Sequence, residues 1–224
     1  MSRHKTTPDA EVLAATTRVI ARTGPAGLTL AEVARETGLA PATLLQRFGS
    51  KRGLLLAVAQ QGAAGVDQCF ARVRSTHSSP LAALLASFEE MTVLAETPES
   101  LANNLAFLEI DLTDPDFHRL ALQNSRSTLA GYRTLLDDAV AAGEIVPCDT
   151  ARLARALSAM CCGSMLNWAI LRKGTVKSWL RDDMEVLLDP LRAHPRGRKR
   201  PGVRSKRNMT APPNARYSVK KSRR

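Results

Sequence analysis

With 224 residues, 44% of them hydrophobic, the chain is long enough to bury one large core or two modest ones, which excludes a wholly disordered protein. Aromatic residues make up only 4%, and Ala and Leu dominate the body, a composition that favours packed helices and argues against sheets. The formal charge of +11 sits at one end: from Arg192 onward there are thirteen Lys and Arg and no Asp or Glu, leaving nineteen basic against twenty-one acidic residues before them, a net −2.

The first predicted helix opens with Thr7 as N-cap and Pro8 at its first position, and Gly24-Pro25 ends it. Val12, Leu13, Thr16, Val19 and Ile20 form its packing face. A second helix, only about two turns long, opens at Thr29, where Thr29-Leu30-Ala31-Glu32 has the spacing of a capping box. Gly38 suits a left-handed turn after it, and Pro41 opens a third helix that Gly49 stops. Leu44 and Phe48, four apart, face inward with Val33, Ala34 and Leu39. Ser50 caps a fourth helix, and later breaks place helices near 51–74, 80–95, 98–109, 115–142, 149–172 and 176–191. The segment from Arg192, rich in Lys, Arg, Pro, Ser and Asn, cannot offset the entropy of ordering and is expected to be a disordered tail.

Two short helices joined by a Gly-containing turn, the second rich in small and polar residues, fit a helix-turn-helix whose second helix enters the major groove of DNA. Three packed helices with no nucleic-acid role have the same pattern. The whole segment from Glu11 to Val58, EVLAATTRVIARTGPAGLTLAEVARETGLAPATLLQRFGSKRGLLLAV, resembles the N-terminal domain of the tetracycline-repressor (TetR) family. The resemblance is carried by Gly24 closing the first helix, Thr29 opening the second, the run Val33-Ala34-Arg35-Glu36-Thr37-Gly38-Leu39, and the run from Thr43 to Lys51. This chain departs from the family on the recognition helix, with Ala40 at the N-cap where Ser or Thr is usual, Leu45 where Tyr is usual, and Arg47 where His or Tyr precedes the Phe.

With Leu44 and Phe48 turned inward, Pro41, Ala42, Thr43, Leu45, Gln46 and Arg47 remain to meet DNA. Gln46 can bond adenine bidentately, worth ~1–3 kcal/mol of discrimination, while Ala42, Leu45 and the Thr43 methyl suit thymine methyls, so the expected half-site carries informative A·T positions. Leu45 has no hydroxyl to offer a phosphate where the family's Tyr has one, and Arg47 is expected to bond a phosphate instead. Lys51 and Arg52 in the first turn of the fourth helix oppose its dipole by ~0.3–1 kcal/mol each, which turns favourable opposite a phosphate. The resemblance assigns that phosphate to Lys51; a solvated surface pair is the plainer reading. Thr29 at the start of the second helix joins the expected DNA-binding set, as do Arg3 and Lys5, which suit a flexible arm along the backbone or minor groove and serve solubility equally well.

The resemblance implies that the remaining helices bind a small-molecule effector and dimerise, the last two pairing with their copies in a four-helix bundle. Here these are Asp149 to Arg172, apolar over most of its circumference, and Val176 to Leu191. Phe88, Met91, Phe107, Phe117, Met165 and Trp168 are candidates for lining an effector pocket, although each reads more simply as core. Asp111, Asp114 and Asp116 suggest a cation site or a partner for a cationic ligand, or more simply a solvated turn and helix start.

Enzyme chemistry finds no support: there is no phosphate-cradling Gly loop or nucleophile elbow, and His118 near Asp111 and Asp114 reads as a surface residue. Cys69, Cys148, Cys161 and Cys162 lack C-x-x-C spacing and the four His are scattered, so neither a metal site nor a cofactor is indicated. Cys161 and Cys162 read as buried reduced thiols ahead of a redox sensor. Thr6, Thr7, Pro8, Asp9 and Glu11 stand where a signal peptide needs apolar residues, and no apolar run reaches ~18 residues, so a cytoplasmic protein with no membrane partner is expected.

The expected architecture is all-α, with a helix-turn-helix DNA-binding domain over residues 1–53, a larger helical effector-binding and dimerisation domain over 54–191, and a basic tail over 192–224. The expected function is that of a ligand-responsive transcriptional regulator, a repressor that binds a palindromic operator as a homodimer. The competing expectation is an architectural, largely nonspecific DNA binder driven by the basic tail.

Overall fold

Caps and glycines set the helix boundaries of this chain. The computed structural model describes residues 7–193, so Arg3, Lys5 and nearly all of the expected basic tail lie outside the described residues. Helix α1 spans Asp9–Gly27, flanked by an extended Pro8 rather than opening at it, and Gly24 (φ 68°, ψ 168°) kinks it before Pro25. Helix α2, Leu30–Thr37, is capped by Thr29, whose hydroxyl oxygen accepts from the Glu32 N–H at 3.2 Å. That hydroxyl donates to the Glu32 carboxylate at 3.3 Å, and one half of the predicted capping box is formed. A left-handed Gly38 (φ 70°) leads to α3, Pro41–Phe48, whose N-cap Ala40 makes no side-chain bond.

Helix α4, Lys51–Thr76, is capped by Ser50 and runs unbroken through residue 53. Helix α5, Pro80–Met91, tightens into a 3₁₀ turn over Thr92–Ala95. The single helix predicted over 98–109 is two: α6, Pro98–Leu105, and α7, Phe107–Thr113. Two amides tether α6 beside the break. The Asn103 side chain donates to the Ala21 carbonyl at 3.0 Å, and that of Asn104 donates to the Leu94 and Ser100 carbonyls, each at 2.9 Å, tying α6 to α1 and the 3₁₀ turn. Helix α7, free of those ties, packs along α8, Pro115–Ala141. Helices α9, Thr150–Leu171, and α10, Val176–Leu188, complete the helices of the described residues, and the turn over Asp189–Leu191 that follows is 3₁₀, with Pro190 providing no N–H. Among the described residues the only β pairing is an isolated bridge between Ile145 and Arg192. The fold is all-α.

Two apolar clusters hold these helices together. The first joins Val12, Val19, Ile20, Leu28, Val33, Ala34, Leu44, Leu54 and Leu55 with a visitor from α8, Phe117, which is only 1% exposed. The second fills the body between α4, α5, α8, α9 and α10. At its centre Tyr132 stacks on Phe88, with ring centroids 4.4 Å apart, and takes the edge of Phe70 at 5.3 Å. Cys161 is buried there as expected; Cys162 is exposed, because adjacent helical residues lie about 100° apart around the axis.

Candidate nucleic-acid interface

The helix-turn-helix is built from α2 and α3, and its geometry follows from their short length. An eight-residue helix has one buried face and leaves the rest of its circumference to solvent. In α3, Leu44 is fully buried and Phe48 half-buried, which anchors the helix on the first cluster. Pro41, Ala42, Leu45 and Gln46 are exposed on the other side, Leu45 to 51%, and Thr43 is half-buried. The expected base-reading set is thus brought together on one face, with Thr29 exposed at the start of α2.

The two cations expected on phosphates are occupied within the protein. Arg47 points back to α1: its Nε donates to Asp9 at 2.7 Å, its Nη2 bonds the same carboxylate oxygen, and its Nη1 donates to the Thr7 carbonyl at 2.8 Å. Arg47 therefore staples α3 to the start of α1. Lys51 Nζ donates to the Ala26 carbonyl at 2.6 Å, just beyond the kink of α1. The Lys51 bond is exposed, and a contact of this kind contributes ~0–1 kcal/mol, which a phosphate can displace; Arg47, with a side chain only 23% exposed, is held more firmly.

Two further sets of ion pairs have no counterpart in the sequence pattern. Arg18 and Arg22 of α1 clamp Glu36 of α2 at 2.6 and 2.8 Å. Burial pushes the Glu36 carboxyl up, but the hydrogen bonds and charges of Arg22 and Arg18 outweigh it and hold the group below the usual carboxylate range. Arg52 reaches from the first turn of α4 to Asp114 and Asp116 at the start of α8, each at 2.8 Å, and its guanidinium lies 5.7 Å from the Phe117 ring centroid. The Arg52 hydrogen bond is the main reason the Asp114 carboxyl lies below its ordinary range. Opposite charges 62 positions apart carry no local pattern that reveals such a pairing.

Behind the helix-turn-helix lie two adjoining cavities. One, of about 310 Å³, is bounded by Thr17 and Ile20 of α1, Val58, Ala59, Gly62 and Ala63 of α4, Asn104, Phe107, Asp111, and Leu120 and Asn124 of α8. The other, of about 290 Å³, is bounded by Val66, Cys69, Phe70, Glu90, Met91 and Tyr132, and shares Gly62, Leu94 and Asn124 with the first. Of the residues predicted to line a pocket, Phe107 and Met91 border these cavities, one each. Phe88 and Phe117 are fully buried in the two clusters, and Met165 and Trp168 of α9 are buried in the second. Cys69 donates to Glu90, which is also paired with Arg72, and burial pushes the Cys69 thiol up to about 11, well away from a reactive thiolate.

Residues 12–58 match the profile described as bacterial regulatory proteins, tetR family. No curated protein matches the chain. Among solved structures, a TetR-family transcriptional regulator from Cytophaga hutchinsonii superposes with a TM-score of 0.67 at 18% identity, covering 84% of this chain and 96% of its own. NemR of E. coli in its reduced form gives 0.66 at 16% identity, covering 83% and 97%. The transcriptional regulator FadR from Bacillus subtilis, in complex with stearoyl-CoA, gives 0.61 at 14% identity, covering 82% and 100%. At these identities the structures establish the shared fold, which extends over both the helix-turn-helix and the helical body. Residues 12–58 thus form a DNA-binding domain of the tetR family of bacterial regulatory proteins, carried on a helical body with the fold of these regulators.

Proposed function

We propose that the chain is a ligand-responsive transcriptional repressor that binds a palindromic operator as a homodimer and is released by a small-molecule effector. The observation that carries the reading is the division of α3, with Leu44 locked in the core and Ala42, Leu45 and Gln46 bare on the opposite side. One such helix reads few base pairs, so specificity calls for two copies about a two-fold axis. Helices α9 and α10 support that assembly: Leu166, Ile170, Leu171, Val186 and Leu187 are exposed, Ile170 to 75% and Val186 to 73%, giving an apolar surface that a second copy covers. On this reading residues 1–53 bind DNA, 54–191 bind effector and dimerise, and 192–224 add nonspecific affinity, all in the cytoplasm.

The adjoining cavities support an effector site, and the stearoyl-CoA held by FadR is consistent with a ligand inside this fold. Helix α8 lines both cavities through Asn124 and reaches the DNA-binding module through Phe117 and the Asp114–Arg52–Asp116 pairs, so a ligand that shifts α8 moves the base of α4. A ~100-fold loss of DNA affinity requires only ~2.7 kcal/mol of coupling. The test is to sequence the DNA fragments that the purified protein retains in the presence of excess random DNA. A recurring palindrome with A·T positions supports the proposal. Retention without a common sequence refutes it and leaves a tail-driven architectural binder.

A further inference from the structure

The larger cavity has a one-sided chemistry. Its apolar walls include Ile20, Ala63, Phe107 and Leu120, its polar groups are Thr17, Asn104, Asp111 and Asn124, and among the described residues no Lys, Arg or His lines it. The Thr17 hydroxyl donates to the Leu13 carbonyl at 3.0 Å, and the Asn104 amide nitrogen donates to the Leu94 and Ser100 carbonyls at 2.9 Å. With those donors consumed inside the protein, both residues have only oxygen lone pairs to offer a ligand. Asp111 adds a negative charge. Among the described residues, Asp114 and Asp116 share Arg52, whereas the half-buried Asp111 carboxylate has no ion-pair or hydrogen-bond partner. The nearby His118 contacts the Asp111 main-chain carbonyl, at 3.1 Å, and is exposed outside the cavity wall. Burial pushes the Asp111 carboxyl above its usual range, outweighing the opposing charge of the nearby His118, which makes no ion pair with it.

From this we infer that the effector is an organic monocation bearing N–H groups, a protonated amine or amidine on an apolar body, with its head on Asp111 and the oxygens of Asn104 and Thr17. The inference rests on the reading of the cavity as the effector site. The adjoining cavity calls for no second positive charge, because Glu90 is already paired with Arg72 and bonded by Cys69; there the apolar body meets Val66, Phe70 and Met91. An anionic ligand meets the opposite situation: an unpaired carboxylate, and Asn124 as the one lining amide not engaged within the protein.

The experiment compares octylammonium, octyltrimethylammonium, 1-octanol and octanoate, four probes with one apolar chain, by calorimetric titration of the full chain at neutral pH. Octylammonium is expected to bind roughly tenfold tighter than octanol, with octyltrimethylammonium between them for want of N–H donors, and octanoate weakest. Asp111→Asn, close in shape to the original, is expected to remove that tenfold advantage of octylammonium over octanol. Octanol or octanoate at or above octylammonium, or an equal loss for every probe in Asp111→Asn, overturns the cation inference while leaving the cavity as an effector site. Binding of none of the four, with no shift in unfolding temperature, removes the effector-site reading itself. The ranking in the unsubstituted protein is decisive on its own, so the test survives a variant that fails to fold.

Discussion

Gly131 lies where α8 crosses α4, and replacing it by Ala tests the packing logic of the body. A Cβ at this position lies 2.4 Å from two carbons of the Phe70 ring and 2.5 Å from a third, far inside van der Waals contact. Phe70 has little room to yield, because it is buried and set edge-on against Tyr132, which is itself stacked on Phe88. Overpacking of this kind costs about 1–3 kcal/mol, and loosening the aromatic pair adds roughly 0.5–1.5 kcal/mol. Against this, Ala in place of Gly within a helix contributes about 1 kcal/mol of propensity. The net expectation is a loss of about 0.5–3.5 kcal/mol, which for a chain of this size lowers Tm by roughly 1–14 °C. Gly65→Ala on α4 is the control: nothing stands within 4 Å of its Cβ, so propensity acts alone and the variant gains about 0.5–1 kcal/mol. Both are measured by thermal and urea unfolding at one protein concentration. A Gly131→Ala protein as stable as the parent, or a pair of variants that shift in the same direction, refutes the reasoning.

Gln46→Ala is expected to cost ~1–3 kcal/mol of discrimination at a single adenine position of the retained operator and little on random DNA, read by fluorescence anisotropy; uniform weakening on both sequences contradicts a base contact. Ile170→Asp combined with Val186→Asp places charges on the exposed apolar face of α9 and α10, and sedimentation is expected to show monomers with the helical signal retained. Acid should loosen the α1–α2 clamp. Because Glu36 has its carboxyl held below the ordinary 4.5, its stabilising contribution is present above that pH and is lost as pH falls through the lowered value. Glu36→Gln should therefore flatten the urea midpoint below about pH 4.5 and lower it at neutral pH; an unchanged acid limb argues against the clamp.

The amino-acid sequence by itself determined the elements that depend on near neighbours. Capping and turn chemistry act over three or four residues, so Thr29, Gly38, Pro41, Gly49 and Ser50 mark the helix-turn-helix to within a residue, and the spacing of Leu44 and Phe48 sets which side of α3 is bare. Tertiary structure alone decided what those residues meet. Arg47 bonding Asp9, Arg52 bridging to Asp114 and Asp116, and Asn103 pinning α6 to α1 all join positions far apart in the chain, for which no periodicity exists to be read. The same holds for the cavities. Phe88 and Phe117, candidates for a pocket that also read as core, are consumed by close packing, while the spaces left over join other apolar residues such as Ile20 and Leu120 to small and polar ones such as Gly62, Asn104 and Asp111. A cavity is the remainder of packing between helices, so its walls are known only once every helix has found its neighbours.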